Sequence, residues 1–506
     1  MGGSVARSSD TTRLAACGGV SLAIYVVGFT LPYPIARGLT RPLDHFGHMT
    51  GPSVGPTIAF VAALTGLFLL YTTALRICSR CEGRAQALAV AGGGAIVLGL
   101  ALLPMYPAFS LDIFYYMSAD RIWSLYRENP FVVPPLQGAH DPFFPYTAWG
   151  HYPLPYGPLW PWITQATSRF GGGDVAQTLL AFKGLAVVGY LLCTAAITWA
   201  VGAVRPDRRL TATCIFAWNP LVLLELAGNG HNDAVCLVPA IVALGLWARR
   251  RSVPATVALA VSFLTKATVV VIGPALLVAS LRRAVESRTI GRWLWTHLIV
   301  AAALYLVAWM PFRSSTAAGF WREADQYYQS VTALAMALMA AGLSADMRPV
   351  GLRVVQVALV GGFVAFYFFQ LRALGHEGRE GLRAMWRITV VYFLVVMPFF
   401  SPWYIVWPTA IAALLAERRT TQLTTLLCIG SLSTYLVQFV LRPVVGPGWP
   451  MWPFSALALA LVVTPFLFGL VLTRGVENEL EDRPPTDDSN AGDPHAAMRE
   501  VVGASS

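Results

Sequence analysis

Thirteen apolar stretches alternate with short polar connections along the chain, at roughly 14–36, 54–78, 85–109, 176–200, 211–227, 232–248, 254–281, 294–312, 350–371, 386–400, 403–416, 423–441 and 453–473. A helix needs about 20 consecutive apolar residues to cross the hydrocarbon of a bilayer. The pattern therefore predicts an all-α polytopic membrane protein, a bundle of about 12–14 transmembrane helices. Residues 1–13 precede the bundle, 14–473 form it, and 474–506 are rich in Glu, Asp, Pro, Ser and Gly with little apolar surface to bury. That last stretch reads as a disordered tail. The first apolar run has no evident small-residue cleavage site after it and reads as a span, not a signal peptide.

Composition sharpens the class. The 506 residues are 56% hydrophobic and 12% charged, with a net charge of +10, where a soluble domain carries about 25% charged residues. The positive charge lies in short loops, where it orients a membrane protein, and implies no nucleic-acid partner. The basic clusters are Arg76/Arg80/Arg84, Arg205/Arg208/Arg209, Arg249 to Arg251, Arg282/Arg283/Arg288/Arg292, Arg379/Arg383/Arg387 and Arg418/Arg419. Placing all of them in the cytoplasm requires 254–281 to enter and leave on one side, as two half-helices broken near Lys266, which is tolerable where a break lines a cavity. The N-terminus and tail are then cytoplasmic. Residues 110–175, the GNGHND turn at 228–233, the loop 313–349 with Glu323 and Asp325, SPWY at 401–404, and 442–450 fall outside.

Several polar residues stand where hydrocarbon should be. Asp112 follows a long apolar segment and opens a loop dense in proline and aromatic residues. It has two readings: a first-turn acid of a short helix capped by Ser110, or a base that takes a proton from an acceptor hydroxyl. Tyr115, Tyr116, Trp123 and Tyr126 read first as an interfacial belt, and second as stacking surfaces for sugar rings. Tyr152 to Trp160 holds three prolines and cannot begin as a regular helix. It forms either a structural turn into an interfacial helix over 159–170 or a groove for lipid or acceptor.

Asn229, His231, Asn232 and Asp233 crowd a turn between two short spans, a costly placement unless they are paired or functional. Glu225, one turn earlier, is expected to pair internally. Lys183 and Lys266 are the only lysines. Lys183 lies near a span end and reads as snorkelling to the interface. Lys266, at the expected break, reads as facing a phosphate. Cys78 and Cys81 form a lone C-x-x-C without partner ligands, and the Gly92 to Gly94 run reads as close helix packing. Neither a P-loop, a dinucleotide-binding fingerprint nor an outer-loop D-x-D is present, so no nucleotide, metal or other cofactor is expected.

D-I-F-Y-Y (112–116), N-P-F (129–131), Y-G-P-L-W (156–160), H-N-D (231–233), the Lys266 segment (262–274) and S-P-W-Y (401–404) occur in this order. Together they resemble the polytopic GT-C glycosyltransferases, most closely the polyprenol-phosphomannose-dependent alpha-(1,6)-mannosyltransferases of actinobacterial envelopes, over roughly 105–410. The resemblance implies a GT-C-like bundle that transfers a hexose, mannose by likeness, from a polyprenyl-phosphate carrier to a glycolipid or glycan acceptor. It implies an active site on the external face of the plasma membrane, inversion at the anomeric carbon, and Asp112 as base. His231, Asn232, Asp233 and Lys266 are then candidates near the donor phosphate. Tyr115, Tyr116, Tyr156, Trp160, Trp403 and Tyr404 are candidates for the substrate groove. Two features depart from the usual layout: two spans precede the helix leading to Asp112, and the paired acids some relatives carry in that loop are missing. A transporter or flippase of lipid-linked saccharides, and a non-catalytic envelope partner, are the alternative classes.

Overall fold

A computed structural model describes residues 2–50, 54–138, 140–312, 327–344, 346–372, 374, 378–446, 449 and 452–473, with the side chains of 2–9 and 341 left out. Glu323, Asp325 and the acidic tail fall outside these residues. Among the described residues the regular elements are all helices, and two isolated bridges pair Pro34 with Met105 and Tyr328 with Phe399. This is an all-α polytopic membrane protein. Among the described residues, seven helices are long and apolar enough to cross a membrane: Asp10–Thr30, Val54–Cys78, Val175–Ala203, Ile290–Phe312, Met347–Arg372, Arg418–Val445 and Trp452–Leu472. An eighth span arises if Pro206–Ala217 and Pro220–Gly228, bent by 48° at Trp218 and Asn219, count as one. The other apolar stretches form helices of 10–17 residues, among them Ala85–Ala101, Asp233–Ala248, Ser252–Thr265 and Pro402–Leu415.

The short helices hold the centre. Arg209–Ala217, Asp233–Ala248 and Val406–Leu415 are buried almost all round, which fits sequences with no polar face to show. Ile290–Phe312 and Met347–Arg372 are only 11% and 6% buried, so their exposed apolar side chains face lipid. Close approach is set by small residues, as hydrocarbon supplies little hydrophobic drive between helices. A Cβ on Gly94 would come within 2.6 Å of the Trp218 ring, whereas Gly92 and Gly93 meet nothing within 4 Å. Only one glycine of that run therefore makes the expected close packing.

Shortness has a structural consequence. Asp233–Ala248 has 16 residues and rises about 24 Å, against about 30 Å of hydrocarbon. Its N-terminal end stops short, and the polar turn at 228–233 is sunk inside the bundle.

The basic clusters lie together. Glu82 accepts hydrogen bonds from the Leu210 and Thr211 amides at 3.1 and 2.9 Å, joining the first cluster to the second. Arg249 reaches the Trp199 carbonyl at 2.7 Å, Arg283 the Trp247 carbonyl at 2.9 Å, and Arg282 the Leu374 carbonyl at 2.8 Å. Arg383 pairs with Glu417 at 2.9 Å. The six groups thus form one contiguous basic face.

The split segment follows from the same contacts. Ser252–Thr265 leaves this face and packs along Asp233–Ala248. Lys266 interrupts it with extended backbone, φ −154° and ψ 132°, and Gly273–Glu286 brings Arg283 back to Trp247. The break is held from outside by the Gly157 amide, which donates to the Thr265 carbonyl at 3.0 Å. A Cβ on Gly157 would lie 2.0 Å from the Leu264 carbonyl oxygen, so backbone must yield to any side chain. Gly157→Ala is expected to destabilise the protein by about 1–3 kcal/mol, the usual range for forced overpacking. A lower midpoint of thermal unfolding in detergent, against an unchanged midpoint for Gly92→Ala, checks it.

A candidate active site on the cavity face

Opposite the basic face the helix ends enclose a cavity of about 430 Å³. Its wall takes His45 and His48 from the first loop, Phe109 to Asp112, Ala148 and Trp149 from the loop dense in proline, Tyr328, Phe399, Ser401 and Trp403, and Gln438 to Pro443 in part. Of the residues singled out in the sequence, Asp112 and Trp403 reach this wall.

Asp112 opens the helix Asp112–Ser124. Leu111, not Ser110, is the residue flanking the helix, but the Ser110 hydroxyl accepts the Asp112 amide at 3.4 Å. The expectation of Ser110 as N-cap is therefore not met, while Asp112 does stand in the first turn. The Asp112 carboxylate is 18% exposed. Trp149 Nε1 donates to its Oδ1 at 3.1 Å, and His231 Nδ1 stands 3.8 Å from its Oδ2. One oxygen is therefore held by a hydrogen bond while the group stays open to the cavity. The loop that delivers Trp149 is stapled by Asp141, whose Oδ2 receives Arg121 Nε at 2.5 Å and the Tyr126 hydroxyl at 2.8 Å.

Behind Asp112 lies His231, 1% exposed and stacked on Trp403 at 4.1 Å between ring centroids. Its Nε2 is 3.3 Å from Glu225 Oε2, and neither ring nitrogen completes a hydrogen bond of good geometry. Glu225 pairs internally, accepting from the Tyr435 hydroxyl at 2.8 Å and Asn229 Nδ2 at 3.0 Å. The order Asp112, His231, Glu225 thus runs from the cavity into the bundle.

Asn232, Asp233 and Lys266 form a second, adjoining network. Lys266 Nζ donates to Asp233 Oδ2 at 2.7 Å and Asn232 Oδ1 at 3.0 Å, and Trp407 Nε1 donates to Asp233 Oδ1 at 2.8 Å. The ammonium lies over the Tyr156 and Tyr404 rings at 5.5 and 5.9 Å, a favourable cation–π placement. Tyr116 packs edge-on to Tyr156 and Trp160 at 5.5 and 5.4 Å. Tyr115 is also buried, its hydroxyl on the Tyr152 carbonyl at 3.0 Å. The belt reading fails for Tyr115 and Tyr116, which point into protein. The groove residues Tyr115, Tyr116, Tyr156, Trp160 and Tyr404 pack behind the cavity wall, around Lys266 or against the loop.

Lys183 does not snorkel. It is fully buried, and its ammonium binds the Ala227 carbonyl at 3.1 Å and the Gly228 carbonyl more closely. A mid-bundle cation here ties off the carbonyls at the end of the helix before the GNGHND turn. Residues the sequence did not single out are His45, His48, Trp149, Tyr328, Gln438 and Arg442. Only the three-residue spacing of the two histidines marked them as neighbours. Their rings stack at 3.7 Å, and His45 lies 4.9 Å from Phe439. Burial, with His48 alongside, pushes the His45 imidazole down to about 4. Among the described residues no three His, Cys, Asp or Glu side chains gather as a metal site. Cys78 and Cys81 are buried free thiols.

The family model described as alpha-(1->6)-mannopyranosyltransferase, N-terminal domain, matches residues 16–282. Alpha-(1->6)-mannopyranosyltransferase A of Mycobacterium tuberculosis is 25% identical over 392 residues, 72% of this chain and 71% of that protein. A probable alpha-(1->6)-mannopyranosyltransferase of Mycolicibacterium smegmatis is 29% identical over 145 residues, 27% of this chain and 25% of its own. Alpha-(1->6)-mannopyranosyltransferase A of Corynebacterium glutamicum is 27% identical over 180 residues, 33% and 34% of the two chains. The family match spans Asp112, the 228–233 turn and Lys266, and stops before Trp403 and Arg442.

Removing one member of a buried ion pair strands the other charge. Lys266→Met is expected to cost about 3–5 kcal/mol of stability, and adding Asp233→Asn to recover part of it. Thermal unfolding of the single and double variants in the same detergent measures both.

Proposed function

The chain belongs to the alpha-(1->6)-mannopyranosyltransferase family, and from that membership we propose that it moves mannose from a polyprenyl-phosphate carrier to a glycolipid or glycan hydroxyl. It is a multi-pass membrane glycosyltransferase. The observation that carries the reading is Asp112: a carboxylate held by Trp149 and backed by His231, open to a cavity of about 430 Å³.

In this scheme the acceptor oxygen attacks the anomeric carbon from the face opposite the phosphate. The new C–O bond forms as the C–O bond to phosphate breaks, and the hydroxyl proton passes to Asp112. A phosphate leaving group needs no general acid, only positive charge and hydrogen-bond donors that meet the charge it gains. The single displacement inverts the centre, so a beta-linked donor gives an alpha-linked product. Neither metal nor nucleotide is invoked. The base suits the task because the Trp149 hydrogen bond orients one oxygen and leaves the other for the proton it takes.

The cavity face is assigned to the external side of the plasma membrane. What supports this is the contiguous basic face opposite it, since Lys and Arg concentrate on cytoplasmic ends of spans. Asn232, Asp233 and Lys266 fix the Tyr156–Trp160 wall beside the site, holding the break at 265–266 to its neighbouring loop.

Membranes bearing the protein, supplied with radiolabelled polyprenyl-phosphate mannose and an alpha-mannoside acceptor, test the scheme. Asp112→Asn is expected to lower transfer by about 10²–10⁴-fold or more with unchanged folding, and the wild-type product to be alpha-linked by its anomeric proton coupling. Equal transfer by a folded Asp112→Asn variant removes Asp112 as base. No transfer by the wild type from any polyprenyl-phosphate sugar removes the donor assignment and leaves transport of lipid-linked saccharides as the reading.

A further inference from the structure

The cation expected at the donor phosphate is already engaged. Lys266 lies 2.7 Å from the Asp233 carboxylate, with Asn232 as a second acceptor, and it is not part of the cavity wall. An anion brought to Lys266 would compete with a buried carboxylate that cannot leave. The cavity that Asp112 lines holds a different cation. Arg442 stands there on an exposed helical turn, and among the described residues its guanidinium forms no ion pair.

His45 and His48 belong to the same wall, and the link is Phe439, one turn before Arg442, against which His45 packs. Their loop is fixed to the segment carrying Asp112. The Phe46 amide donates to the Ala108 carbonyl at 2.8 Å, and the Tyr106 hydroxyl to the Asp44 carbonyl at 3.1 Å. The loop that connects the two leading spans is therefore built into the site.

We infer that Arg442, with His45 and His48, forms the phosphate-binding subsite of the cavity that Asp112 also lines. This deepens the polyprenyl-phosphate reading and rests on it. The planar guanidinium fork fits two phosphate oxygens at once, where an ammonium offers a point charge. His45, held neutral by burial, contributes a ring N–H as donor without adding charge. As the anomeric C–O bond breaks, the bonding pair goes to the phosphate oxygen, and the carrier leaves as a phosphate monoester beside Arg442. The acceptor proton ends on Asp112. The two halves of the chemistry thus fall on different segments lining one cavity: proton on 110–149, leaving group on 45–48 and 438–443.

The test compares full-length wild type, Arg442→Gln, Arg442→Lys and the double variant His45→Gln/His48→Gln, purified in one detergent. Binding of a polyprenyl monophosphate is measured against the uncharged polyprenol, alongside kcat and KM for polyprenyl-phosphate mannose and KM for acceptor. Arg442→Gln is expected to weaken monophosphate binding and raise donor KM by about tenfold or more, the loss of a charged hydrogen bond. Acceptor KM and polyprenol binding should stay level. Arg442→Lys should recover part of the loss, the histidine variant should show a smaller one, and Asp112→Asn should bind monophosphate as wild type does. Monophosphate binding by Arg442→Gln and the histidine variant equal to wild type, in a protein that transfers mannose, overturns the subsite and leaves the donor reading standing. A wild type that binds monophosphate no better than polyprenol overturns both. Thermal midpoints separate misfolding from lost contacts, and if Arg442→Gln does not fold, the lysine and histidine variants decide alone.

Discussion

An ammonium and a carboxylate taken out of water each lose several kcal/mol of solvation, and the Lys266–Asp233 contact at 2.7 Å is where this chain offsets that loss. Asp233 opens one short central helix, and Lys266 sits at the break that ends another. Their pairing joins two helix ends that both stop inside the bundle. Trp407 Nε1 closes the remaining Asp233 oxygen, bringing in the helix that follows SPWY. With both charges and both carboxylate oxygens satisfied, a polar floor can exist at this depth, and the Asp112 cavity lies above it.

The same constraint explains why the polar turn is dense in interactions. Lys183 holds the carbonyls of Ala227 and Gly228, and Tyr435 and Asn229 hold Glu225. Each group would be costly alone in a low-dielectric interior. His231 departs from this, its ring nitrogens without well-aligned bonds between two carboxylates, and the Asn232 side-chain amide nitrogen also lacks a partner.

Surrounding helices then divide the work. Basic residues gather at one end of the bundle and fix its orientation, while proline and aromatic residues close the other end over the cavity. The Asp141–Arg121 staple matters at a distance, because it holds the loop from which Trp149 reaches Asp112.

Much of this was legible in the chain. Apolar segment lengths set the all-α membrane class, since hydrocarbon admits only helices with internally satisfied backbone. The break at Lys266 followed from a cation in a 28-residue run with Arg on both sides, and Asp112 stood out as an acid at a span's end. Local sequence could not say which side a residue faces. Tyr115 and Tyr116 read as a surface belt and are buried, and Lys183 read as snorkelling and points inward. His45 and His48, about 65 residues before Asp112, and Arg442, some 330 after it, share a wall with it only because the leading hairpin and the 418–445 helix pack around the same recess. Periodicity reports burial against lipid or water. Partnership between distant charges is decided by how the helices pack.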